Sequence, residues 1–157
     1  MLKPRPDDPV KGQAFVALRT LPSALNRDHR LPLTPSSRCV LILEDSVLVA
    51  MAIEAALADR GYDTIVAGTL AVAHERLGRT VPVAALLDLH LPDGDAVELA
   101  CSLHARGSKV AICSGSNLLP ETCDFAASFR KPVVAAELVE WVEWVEWVEQ
   151  ATRNDEA

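Results

Sequence analysis

The sequence predicts a doubly wound α/β domain built on a parallel sheet, and three observations lead there. Short, wholly apolar runs recur along the chain, stretches with helical spacing separate them, and two of the runs stop abruptly at acidic residues. An apolar run without polar alternation reads as a strand covered on both faces, as in parallel sheets. Strand and helix alternate five times, which implies crossovers that place helices on both sides of the sheet.

The first strand is Val40-Leu41-Ile42-Leu43, entered from Cys39 and ended by Glu44-Asp45. Ser46 can cap the helix that follows, in which Leu48, Met51, Ala52 and Ala55 share one face, and Gly61 offers a left-handed stop. Thr64 to Ala67 is the second strand, and Thr69 to about Leu77 the second helix, with Leu70, Ala73, His74 and Leu77 at helical spacing. Val83-Ala84-Ala85-Leu86-Leu87 is the third strand, stopping at Asp88. Leu91-Pro92-Asp93-Gly94 turns the chain into a third helix from about Asp95 to Arg106, which Gly107 ends. Val110 to Cys113 is the fourth strand, Ala126 to Phe129 a weaker fifth, and Ala135 to about Thr152 a long closing helix. The alternation points to a flavodoxin-like sheet of order 2-1-3-4-5, which sets the first and third strands side by side.

Residues 1–37 differ in character. Pro4, Pro6, Pro9, Pro22, Pro32 and Pro35 punctuate them, and only Ala14 to Leu21 holds an apolar stretch. This segment is expected to be a flexible extension, with a partner-docking arm or a true start further downstream as the other readings. The domain proper is expected over 38–152, followed by a tail over 153–157.

Composition narrows the class. The chain has 157 residues, half of them hydrophobic (50%), and a formal charge of -7 from 15 basic and 22 acidic side chains. One domain with a sizeable core is the expectation. The negative balance, with no basic cluster, argues against nucleic acid as a partner. No apolar run reaches the roughly 18–20 residues that span a bilayer, and no signal-peptide pattern opens the chain, so a cytoplasmic protein with no membrane association is expected. Cys39, Cys101, Cys113 and Cys123 form no CxxC pair and read as reduced thiols.

In such a sheet, ligands bind beyond the carboxyl ends of the strands at the switch point. Four strands deliver polar groups to that edge: Glu44-Asp45, Asp88, Ser114 and Lys131. Three acids brought together repel one another, and a hard cation such as Mg²⁺, which takes oxygen ligands, relieves the repulsion. A carboxylate beside that cation, an ammonium and a hydroxyl is equipped for phosphoryl transfer, with the carboxylate as nucleophile. Each group has a plainer role on its own: Asp45 as a helix cap, Lys131 as a surface charge, Ser114 as a turn hydroxyl. Their joint placement favours the site.

Taken in order, Glu44-Asp45, Asp88 with Leu91-Pro92-Asp93-Gly94, Ser114-Gly115 and Lys131-Pro132 resemble the receiver domain of two-component response regulators, over about Arg38 to Gln150. The resemblance implies that Asp88 is the phosphoacceptor and that Asp45, Asp88 and the backbone carbonyl of His90 ligate Mg²⁺, with Glu44 assisting through water. It further implies that Lys131 contacts the phosphoryl group, that Ser114 is the switch hydroxyl, and that the Lys131-Pro132 bond is cis. A sensor histidine kinase or a histidine phosphotransfer protein would be the donor, acting on a stand-alone signalling domain that is not an enzyme in the ordinary sense. The His90 side chain reads as partly exposed, tuning water access, and not as a ligand; His74 and His104 read as ordinary helix residues.

The chain departs from that pattern in two places. The position three before Lys131, usually aromatic in receivers, is Ser128, and its neighbour Phe129 points to the opposite face of a strand. Lys131 follows Ser114 by only 17 positions, with Pro120 between, so a short or irregular fourth helix is expected. Trp141, Trp144 and Trp147 advance by threes and spiral around the closing helix. They read as a homodimer or partner surface, the other reading being that they wedge into the sheet. Two further functions stay open: a pseudo-receiver acting only as a binding module, and a phosphohydrolase of the haloacid dehalogenase type. The latter would want an Asp-x-Asp motif at the first strand that Glu44-Asp45-Ser46 does not supply.

Overall fold

A computed structural model describes residues 36–116 and 118–156. The expectation of a flexible N-terminal extension falls, as far as Pro35, outside the described residues, as does the last residue of the expected tail. Five parallel strands form the sheet: β1 (Ser36–Leu43), β2 (Asp63–Ala67), β3 (Pro82–Asp88), β6 (Lys109–Ser114) and β7 (Ala127–Arg130). Between β3 and β6 lies a small antiparallel hairpin of β4 (His90–Leu91) and β5 (Gly94–Asp95). The order is β2-β1-β3-β6-β7, the expected 2-1-3-4-5 once the hairpin is set aside. Helices α1 (Val47–Ala58), α2 (Leu70–Leu77), α3 (Val97–Ala105) and α4 (Ala135–Asp155) cover the sheet.

The apolar runs are central strands because helices bury them from both sides. Val40, Leu41, Ile42 and Leu43 are each 0% exposed. Val40, Ile42 and Leu86 pack toward Ile53 and Leu57 of α1 and Leu138 and Val142 of α4. Leu41, Leu43, Leu87 and Ile112 pack toward Ala73 and Leu77 of α2 and Leu99 and Leu103 of α3. Each large side chain so buried stabilises the fold by about 1.5–3 kcal/mol.

On α1 the buried face is Ala50, Ile53 and Leu57, not the expected Leu48, Met51, Ala52 and Ala55. Leu48 is 80% and Met51 58% exposed. The helix VLVAMAIEAALA is apolar almost all round, so spacing alone does not choose the inward side. Ser46 caps it as expected, its Oγ accepting from the Val49 amide, and Gly61 (φ 80) takes the left-handed turn after its end.

Between β6 and β7 the described residues hold only a 3₁₀ turn, Glu121–Cys123, which meets the expectation of a short fourth helix. The closing helix α4 runs on to Asp155, into the expected tail. A polar cluster ties α4 to the far edge of the sheet. The Tyr62 hydroxyl donates to Glu146, Arg38 lies 4.9 Å over the Tyr62 ring, and Arg60 pairs with Glu143 at 2.7 Å.

Candidate functional site

Register brings the polar groups together. Leu43 stands opposite Leu87, so Glu44 and Asp88 leave neighbouring strands side by side. Asp88 is paired with Cys113 and Ser114 with Arg130, so Ser114 and Lys131 emerge at the same edge. The Lys131 amide donates to the Ser114 carbonyl at 2.9 Å, joining the last two strand ends. The Lys131-Pro132 bond is cis, as expected.

Lys131 Nζ lies 3.0 Å from Asp88 Oδ2 and 3.2 Å from Glu44 Oε2. Glu44, Asp88 and Ser114 are buried, at 6%, 7% and 3% exposure, while Asp45 is exposed. Glu44, Asp45 and Asp88 each bring a carboxylate oxygen to within 4.8 Å of the others, a cluster able to hold a metal ion. The ligand set is oxygen alone, with neither sulfur nor imidazole in it, which suits a hard cation. The His90 side chain is exposed, and the His90 amide donates to Asp88 Oδ1 at 3.2 Å, which fixes that carboxylate's rotation.

Burial and mutual contact shift Glu44, Asp45 and Lys131 from their ordinary values. Burial raises the Glu44 carboxyl above the usual glutamate range, against the lowering effect of the Ser46 amide and Lys131. Asp45 is held below its usual value, first by the hydrogen bond it shares with Glu44 and less by the one with Asp88. For Lys131, burial acts to lower the ammonium's value, but the hydrogen bonds and charges of Asp88 and Glu44 outweigh it and the net shift is upward. The Cys113 thiol beneath the site is pushed up to about 12, chiefly by burial, so it stays protonated and unreactive.

Ser114 Oγ accepts from the Ser116 amide at 3.1 Å, which leaves its own proton free to donate. Ser128 is exposed on β7. Phe129 faces the other way and meets Trp141 edge-on, with ring centroids 6.2 Å apart, so it does not stand in for an aromatic at 128. Asp93 has a role the sequence did not disclose. Its two carboxylate oxygens accept from the Leu70 and Ala71 amides at 2.9 and 3.0 Å, and these bonds lower its pKa. It thereby pins the hairpin that follows Asp88 to the N-terminus of α2, a long-range cap that no local pattern signals.

No protein-family sequence model matches the chain, and no curated protein matches it in sequence. Solved structures do match. A CheY-like response regulator receiver domain from Methanospirillum hungatei JF-1 is 26% identical over 74% of this chain and 99% of its own, with a TM-score of 0.63. A CheY-like receiver domain from Methylobacillus flagellatus is 25% identical over 70% and 99%, at 0.60. A response regulator from Burkholderia pseudomallei, whose structure holds a phosphorylated aspartic acid and a calcium ion, matches at 18% identity over 76% and 74%, at 0.59. The chain has the fold of a response-regulator receiver domain, as its ordered motifs implied. Among the described residues no helix is long and apolar enough to cross a membrane.

Proposed function

We propose that the chain is a receiver in a two-component relay, accepting a phosphoryl group on Asp88 from a histidine kinase or a histidine phosphotransfer protein in the cytoplasm. The observation that carries this reading is the Lys131 ammonium set between Asp88 and Glu44 at 3.0 and 3.2 Å, beside three clustered carboxylates.

In this reading an Asp88 oxygen attacks phosphorus, the phosphorus–nitrogen bond of the donor phosphohistidine breaks, and the imidazole leaves with its electron pair and takes up a proton. The Lys131 ammonium pairs with the charge of the transferred oxygens, and the Ser114 hydroxyl donates to one of them. The His90 amide keeps the acceptor carboxylate from rotating away. Asp45, Asp88 and the His90 carbonyl would hold Mg²⁺, with Glu44 assisting. When bound, Mg²⁺ would neutralise the carboxylates and the incoming phosphoryl oxygens.

A donor must meet the mouth of this site, and the exposed apolar side chains cluster in sequence beside the site residues. Val47, Leu48 and Met51 follow the acid pair, Leu118 follows Ser114, and Val134 follows Lys131, all between 56% and 80% exposed. They form the donor-docking surface. Of the three tryptophans expected to form a partner surface, Trp141 is partly buried against the core and Phe129, so Trp144 and Trp147, at 58% and 66% exposure, form the second contact face for a protein partner or another copy of the chain. The test is chemical mapping. After incubation with acetyl phosphate and Mg²⁺, borohydride should reduce an acyl phosphate at Asp88 and no other residue. Labelling elsewhere, or none under conditions where Mg²⁺ binds, would count against the reading.

A further inference from the structure

The segment that stands where a fourth helix would be expected is latched to α3 by side chains. The His104 ring stacks on Phe125 with centroids 4.0 Å apart and planes 6° from parallel. Cys101 Sγ, one turn earlier on α3, donates to the Thr122 carbonyl at 3.6 Å. The next residue, Cys123, is 0% exposed and shares a core cluster with Leu99, Ala100 and Leu103 of α3. The Cys101 thiol therefore lies against the peptide group that joins Thr122 to Cys123. The two thiols differ in access: Cys101 is partly exposed and Cys123 is buried.

We propose that Cys101 and Cys123 are a modification site that a peroxide converts to a reversible disulfide, stapling the 3₁₀ turn to α3. The asymmetry in access assigns the roles. The Cys101 thiol loses its proton to solvent and attacks one peroxide oxygen. The oxygen–oxygen bond breaks, one oxygen leaves as water after protonation, and Cys101 becomes a sulfenic acid. The Cys123 sulfur then attacks the Cys101 sulfur. The sulfur–oxygen bond breaks as the sulfur–sulfur bond forms, and the hydroxyl leaves as water with the Cys123 proton. Two thiols and one peroxide thus give one disulfide and two waters. Burial raises the Cys123 thiol's pKa, which suits a resolving partner better than an attacking one. The other two cysteines, Cys39 and Cys113, are buried at 8% and 5% exposure, and neither has a sulfur partner of this kind.

The test uses the full chain, folded and reduced, exposed to hydrogen peroxide and read by intact mass and peptide mapping. The expected result is a loss of about 2 Da that a thiol reductant reverses, with a cross-linked peptide pairing Cys101 and Cys123 as the major oxidised species. Cys101→Ser should abolish oxidation. Cys123→Ser should stop at a Cys101 sulfenic acid, about 16 Da heavier and trappable by dimedone. Differential alkylation of the unmutated chain gives the same answer should either variant fold poorly. No mass change, a cross-link through Cys39 or Cys113, or stepwise oxygen addition at Cys101 without the cross-link in the unmutated chain would each overturn the proposal.

Discussion

Replacing Lys131 with alanine should strengthen metal binding while slowing phosphoryl transfer, two effects of opposite sign from one substitution. Nζ lies 3.0 Å from Asp88 Oδ2, and a Mg²⁺ ion held by the Asp88 carboxylate would take an oxygen at about 2.1 Å. The two cations would then be within about 5 Å of each other, and at that separation a charge of one and a charge of two repel by about 1.7 kcal/mol at the dielectric of water. The Lys131 side chain is only 33% exposed, so this water value is a lower bound on the repulsion. Removing the ammonium should therefore tighten Mg²⁺ by at least about tenfold. Transfer from acetyl phosphate should fall by about 100-fold, the usual cost of losing one group that stabilises a transition state. Calorimetric titration with Mg²⁺ gives the first quantity, and the rate of adduct formation by mass spectrometry the second. Metal affinity that is unchanged or weaker in Lys131→Ala would refute the electrostatic reasoning, because it would mean that Lys131 holds the loop together and does not oppose the metal.

Two further outcomes are expected. Tyr62 is the chain's one tyrosine, and its phenol is raised above the ordinary value by burial first and then by its hydrogen bond to Glu146. An ultraviolet pH titration should show the phenolate appearing above about 10, and Glu146→Gln should bring it down. Because the folded-state value is raised, the stabilisation is fully present below the unfolded value and is lost as pH rises through the folded one. A phenolate that forms at the ordinary value would remove the coupling between β2 and α4. Gly94 has φ 142, and a Cβ there would stand 3.2 Å from Leu70 Cδ1, so Gly94→Ala should cost about 1–3 kcal/mol in urea denaturation. An unchanged midpoint would show that the hairpin relaxes without strain.

Much of the fold was legible because burial on both faces leaves a distinct trace. Val40 to Leu43 and Val83 to Leu87 carry no polar alternation, which separates a central parallel strand from an edge strand. The gathering of the candidate site residues was legible for a related reason. Glu44, Asp88 and Ser114 each end an apolar run, and parallel register then carries them to one edge. The irregular connection before β7 followed from the 17 positions between Ser114 and Lys131 and from Pro120. The inward face of α1 was not legible, since its apolar side chains surround the helix. Those left outside include Leu48 and Met51, at 80% and 58% exposure. Nor was the cap that Asp93 places on α2, because it joins residues 22 and 23 positions apart, and only the tertiary fold brings them together. The contact of Cys101 with the turn that carries Cys123 likewise joins separate elements and follows no local spacing pattern.

The most direct measurement is the intact mass of the chain after incubation with acetyl phosphate and Mg²⁺, beside Asp88→Asn and an EDTA control. The expected result is a single phosphoryl adduct that depends on the metal and is absent from the variant. An adduct that persists in Asp88→Asn, or a chain that binds Mg²⁺ and takes no phosphoryl group, would contradict the assignment of Asp88 as the acceptor.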